Sequence, residues 1–221
     1  ALAVWMGIDG QTSKLSTRDI DKKLAKLTPV QLASVHLSAR MVDGHDFLYI
    51  RLPDETIVYD HSASRALEQP VWHRLTSGEK GYRGAHIVNC YGKWNVADTL
   101  SGAIGVFSDK VSTHWGDKTT WEFGTPIAYN EGSGAIVHEM TLFVLNGTAK
   151  DGAVVLTDHS EDGVNWSQVR PCSVGSRGDG SKQMAWRRQG RLRHSRMQRF
   201  RGNSDARITA TRLDILPEGL I

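Results

Sequence analysis

Two tripeptides, Asp60-His61-Ser62 and Asp158-His159-Ser160, hold the residue types of a hydrolase triad. Neighbours on a strand point to opposite faces, so neither trio is expected to converge on one reacting atom. The nine histidines include no HxH or HExxH spacing that would aim two imidazoles at one metal. A GxSxG elbow, a P-loop and a GxGxxG following a strand are also missing from the sequence. Cys90 and Cys172 stand far apart without metal-ligand spacing and are expected as buried free thiols. The expectation is therefore a protein that is not an enzyme, with no cofactor and no metal site.

Arginine is the residue type that clusters. Arg187, Arg188, Arg191, Arg193, Arg196, Arg199 and Arg201 fall within fifteen residues, and residues 151–221 hold 12 Lys+Arg against 8 Asp+Glu. The remaining 150 residues are close to neutral, with 15 against 16. Guanidinium groups this dense repel one another unless anions lie near. Two outcomes are open: each arginine pairs with an acid across strands, or the cluster presents a surface to phosphates or to an acidic partner. The cluster is read as a partner- or DNA-binding surface, with Arg193 and Arg196 facing solvent.

These side chains need elements to carry them. Leu2 to Leu15 reads as two short strands around the turn Asp9-Gly10. One helix is predicted near Ser16 to Leu27, with Ile20, Leu24 and Leu27 at helical spacing and Thr28-Pro29 ending it. Strand patterns follow at Val35 to Met41, Phe47 to Leu52, Thr56 to Tyr59 and Val71 to Leu75, then at Ala85 to Asn89, Trp94 to Asp98 and Gly102 to Phe107. A shift of 48 residues superposes the two groups, placing Gly44 on Gly92, Leu48 on Val96 and Tyr59 on Phe107, a period close to that of propeller blades. Blades are expected near Ala33 to Leu75 and Ala85 to Phe107.

After Trp121 the repeat is lost. Strand runs at Glu122 to Tyr129, Ile136 to Leu145, Ala153 to Asp158, Trp166 to Arg170, Gln183 to Arg188, Met197 to Arg201 and Arg207 to Ile215 form a β-sandwich pattern. Gln189-Gly190 is read as the turn inside the arginine run, with Trp186 and Arg188 on one strand face. The fold class is all-β: residues 1–120 as partial β-propeller blades and residues 121–221 as a basic β-sandwich-like domain, with one short helix near the N-terminus. No run of apolar residues is long enough for a membrane helix, and no membrane insertion is expected. The sequence opens without Met directly into a strand, as expected for the C-terminal portion of a longer chain.

Ser160 to Trp166 resembles the Asp-box hairpin of sialidases and related propellers, in which Ser and Asp brace a turn above a Trp. A wider resemblance runs along the chain. Thr56-Ile57-Val58-Tyr59-Asp60 followed by Trp72-His73-Arg74 is similar to the "VYD … WH.R" blade of the tail hub, or packaged DNA stabilisation, family of short-tailed phages. Ser16-Thr17 with Asp19-Ile20 resembles that family's "ST.AI" step, Ser160 to Ser167 its "SDDGG.TWS" hairpin, and Trp186 to Arg191 its "WRRLG" segment. Gln189 stands where that segment has an apolar residue, and Gly202 interrupts an "FRV"-like strand after Phe200-Arg201.

The resemblance implies a structural virion component, located in the tail and assembled in the host cytoplasm. It implies a homo-oligomeric ring that closes the portal DNA exit channel and retains packaged DNA, with portal or adaptor proteins, tailspike or fibre proteins and a plug as partners. Contact with DNA is a further expectation. The alternatives are a carbohydrate-binding or glycan-active propeller, which would need several Asp-box hairpins, and a nucleic-acid-binding β domain, which would need more aromatics among the arginines than Trp186 and Phe200.

Overall fold

The structure is a computed structural model that describes residues 2–108, 111, 113–130, 133–145, 152–175, 181–203 and 207–217. It divides into two compact units, Ala1–Lys118 and Thr119–Ile221.

The first unit opens with the ribbon β1 (Trp5–Ile8) and β2 (Gln11–Lys14), followed by α1 (Arg18–Ala25) and α2 (Pro29–Ala33). A five-stranded antiparallel meander comes next: β3 (His36–Val42), β4 (His45–Arg51), β5 (Thr56–Asp60), β6 (Val71–Ser77) and β7 (Lys80–Gly81), with α3 (His61–Leu67) between β5 and β6. A second sheet holds β8 (Gly84–Cys90), β9 (Lys93–Asp98) and β10 (Ile104–Val106), and the ribbon β11 (Thr113–His114) and β12 (Asp117–Lys118) ends the unit.

Sequence dictates these elements locally. Ile20 and Leu24 are one helical turn apart, so α1 buries both against Ile50, Leu52 and Ile57 on one face of the first sheet. The opposite face meets the second sheet through Tyr49 and Val58 packed with Ile87 and Val96. Four two-residue links, Asp9-Gly10, Asp43-Gly44, Tyr91-Gly92 and Trp115-Gly116, have positive φ at both positions, the geometry that matches strand twist in tight hairpins.

Helix is more widespread than the single segment expected. The first helix stops just before Thr28-Pro29, but these residues also open a second: Pro29 occupies the first turn of α2, and Thr28 and Gln31 exchange capping hydrogen bonds of 3.3 and 2.9 Å. Residues 61–67, which lack apolar periodicity, form α3 because Asp60 Oδ1 accepts from Ala63 N at 2.8 Å and caps it.

The second unit packs two antiparallel sheets. One contains β13 (Trp121–Gly124), β14 (Ala128–Tyr129), β16 (Val154–Ser160), β17 (Arg170–Ser173) and β19 (Ser195–Gly202); the other contains β15 (Ala135–Leu145), β18 (Ser181–Leu192) and β20 (Arg207–Pro217). Met140, Leu142, Val155, Met184, Trp186 and Phe200 form the core between them. At Gly202 a Cβ would come within 2.5 Å of the Trp121 ring, so the glycine lets that indole lie on the strand, where a β-branched residue would displace it. Contrary to expectation, Cys90 is exposed and Cys172 half-buried; no disulfide joins them.

Candidate partner-binding arginine surface

The predicted turn at Gln189-Gly190 is a β-bulge. Strand β18 continues to Leu192, and its pairing with β15 shifts register between Val137, opposite Gly190, and Glu139, opposite Arg187. Arg188 takes φ 54° and Gly190 φ 83°. The bulge turns Arg188 outward, so it does not share the buried face of Trp186. Chain direction reverses instead at Arg193-His194, which carries the chain from one sheet of the sandwich to the other.

The seven arginines are thereby divided. Arg187, Arg188 and Arg191 lie on β18, Arg193 lies in the link, and Arg196, Arg199 and Arg201 lie on β19. Arg187 is exposed and its Nε donates to Glu139 Oε2 across the strands at 3.0 Å. Arg188, Arg191 and Arg193 are exposed.

Arg196 does not face solvent as expected, being 2 % exposed. It alternates with Arg199 and Arg201, and strand periodicity puts it on the inner face with Gln198 and Phe200. Its Nη1 donates to Gln189 O at 2.6 Å, its Nη2 to Gln189 Oε1 and Gln198 Oε1 at 3.0 Å, and its Nε to Gln198 Oε1 at 3.1 Å. Gln198 Nε2 in turn donates to Thr157 Oγ1 at 2.6 Å. Burial pushes the Arg196 guanidinium down to about 10, which leaves it charged at neutral pH.

Arg199 and Arg201 converge on one carboxylate. Asp158, 2 % exposed, accepts from Arg199 Nε at 2.9 Å and from Arg199 Nη2 and Arg201 Nη2 at 2.7 Å. This hydrogen bonding raises Arg199 above its ordinary value. Glu122 lies 4.0 and 3.9 Å from the two guanidiniums, and the Trp166 ring lies 3.8 Å beneath Arg199. Sequence reasoning missed Asp158 and Glu122 as partners because strand order, which brings β13 and β16 to either side of β19, is not written in local pattern.

Neither Asp-His-Ser trio assembles as a triad. Asp60 is used by the α3 cap and by His45 Nδ1 at 2.9 Å, while Ser62 Oγ donates to Gly44 O at 3.1 Å. His61 opens α3, so the alternating-face argument does not describe that trio. In the second trio Asp158 serves the arginines, and Ser160 Oγ accepts from Gly163 N at 2.8 Å. Asp162 Oδ1 accepts from Val164 N and Asn165 N at 2.8 and 2.7 Å, which holds its carboxyl well below the usual range. Ser160 to Trp166 is thus a braced turn with a Trp anchor. Among the described residues no group of three or more His, Cys, Asp or Glu is arranged to hold a metal.

Both units match one protein family in chain order. Residues 1–112 match the domain described as bacteriophage P22 Gp10, beta-propeller, and residues 120–218 match bacteriophage P22 Gp10, beta-sandwich. The chain belongs to the P22 Gp10 family. Its all-β architecture is therefore propeller-type blades followed by a β-sandwich. The tail hub protein gp10 of Salmonella phage P22 is 23 % identical over 195 residues, which span 87 % of this chain and 40 % of that protein. The match covers well under two thirds of the relative's length.

Proposed function

We propose that this chain is a structural, non-enzymatic part of a phage tail hub: a ring-forming virion component that closes the portal DNA exit channel, retains packaged DNA and carries other tail proteins. Assembly in the host cytoplasm, next to portal or adaptor proteins, tailspike or fibre proteins and a plug, belongs to the same reading. The observation that carries it is the ordered match of both units to the two Gp10 domains, of which the full-length relative is named a tail hub. Cross-linking mass spectrometry on purified virions tests it: cross-links from this chain to itself and to portal-proximal proteins are expected, and its absence from the particle would refute it.

Within that reading the contact surface is the exposed part of the arginine cluster. Arg188 and Arg193 are presented by the bulge and by the inter-sheet link, whereas Arg187, Arg199 and Arg201 are engaged by Glu139, Asp158 and Glu122, and Arg196 is internal. The double variant R188E/R193E is expected to keep its thermal midpoint and to lose incorporation into particles. If DNA is the partner, its affinity falls instead, and the log-log salt slope shrinks by about one for each phosphate that is no longer neutralised. Unchanged incorporation and unchanged DNA affinity would leave these residues as a solvated surface.

A further inference from the structure

A cavity of about 600 Å³ lies in the first unit, bordered by Arg40 on β3, Tyr49 on β4, Leu75 on β6, Tyr82, Phe107 and Trp115. Its size falls within the range of small-molecule sites, and its wall is largely apolar and aromatic with a few polar groups, as such sites are. Gly105 contributes to this wall: the Trp115 indole lies 3.1 Å from where a Cβ would stand, so the missing side chain lets the ring close over β10.

The charge of the wall's described residues has one sign. Among them Arg40 is the permanent ion, and none is a carboxylate. Arg40 stacks over Phe107 with Cζ 4.0 Å from the ring centroid, and its Nε is buried without a hydrogen-bond acceptor. The Arg40 side chain as a whole is half-buried, so its guanidinium is the charged donor that the wall offers to a ligand oxygen. Burial pushes the Tyr82 phenol up, so it remains a donor, and pushes His114 down, so it adds no charge at neutral pH.

We infer that this cavity binds a small amphipathic monoanion, an apolar chain or ring carrying one carboxylate that meets Arg40. The inference is independent of the tail-hub reading, since it rests on the first unit's own residues.

Calorimetric titration of the full chain with octanoate, and with octanol as its neutral counterpart, tests it. Octanoate is expected to bind more tightly than octanol, with saturation below about 1 mM, as an efficient ligand of its size allows. Arg40→Gln should weaken octanoate about tenfold or more and leave octanol unchanged, because a charge-assisted hydrogen bond is what is removed. Val42→Phe, which fills the cavity from β3, should weaken both ligands, and it keeps the test open if Arg40→Gln does not fold. No saturation by octanoate, equal binding of octanoate and octanol, or binding untouched by both substitutions would overturn the proposal. The last result would place octanoate on the exposed apolar surface around Trp5 and Met41.

Discussion

Arg196 is a buried cation satisfied by neutral oxygens. Four hydrogen bonds from three nitrogens reach two glutamine side chains and one carbonyl, so its charge is spread over dipoles and no carboxylate partner is needed. This explains Gln189, which stands where the resembling family segment has an apolar residue: the bulge buries it, 4 % exposed, as the acceptor for Arg196. Arg196→Lys keeps the charge but cannot fork to both glutamines, and the orphaned buried acceptors should cost about 1–3 kcal/mol each. Urea titration followed by tryptophan fluorescence is the measurement, and an unchanged midpoint would show that the network contributes nothing. Strand period separates Arg196 from Arg199 and Arg201, but the strand expected to begin at Met197 left Arg196 outside it. What period could not give was the inward direction of the Arg196 side, because that depends on which sheet β19 joins.

At the scale of elements, hairpins were the most legible feature, since a two-residue turn needs residues that tolerate positive φ. The 48-residue shift holds as pairing geometry: Val42 opposite His45 becomes Cys90 opposite Lys93. The third strand slips by two residues, with Leu48 opposite Tyr59 but Val96 opposite Gly105, so the superposition of Tyr59 on Phe107 is not kept as strand pairing. Helices α2 and α3 were hidden because capping made them, without an amphipathic stripe. The ribbon of β11 and β12 was missed for its brevity, and its attachment carries a pH dependence. His114 Nδ1 lies 3.0 Å from Ser77 Oγ and its ring meets Tyr82 edge-on at 5.2 Å, while Arg83 binds Asp117 at 2.8 Å. Burial lowers the His114 pKa and Arg83 adds to this, against the opposing pull of Asp117 and of the Thr76 backbone. The folded state therefore resists protonation that the unfolded chain accepts near 6.5, so stability is full above that pH and is lost as pH falls toward the folded value. His73 is shifted in the same direction by burial. Thermal melts should show a lower midpoint at about pH 5.5 than at about pH 7.5, on either side of the ordinary histidine value, with His114→Gln reducing the difference. A midpoint that rises on acidification would contradict this.

The molecule as a whole consists of two units with separate cores. Ile50, Ile57 and Val58 hold the first; Leu142, Met184 and Phe200 hold the second. Each core is fully dry at its centre, with Val58, Leu142 and Phe200 all at 0 % exposure. Two cores of this kind give two cooperative units, and a chain of two units is not expected to melt as one. Calorimetry should therefore resolve two transitions that can be assigned by substitution. Phe200→Ala removes a fully buried ring stacked on Phe123 at 5.2 Å and packed against Trp186 at 5.6 Å, a loss of about 3–5 kcal/mol. In a unit of about 100 residues that loss lowers one midpoint by more than about 10 °C. Val58→Ala should lower the other by less, since fewer methyl groups leave the core. A single transition displaced by both substitutions would mean that the two cores unfold as one body, and the division into units would then describe shape without describing energetics.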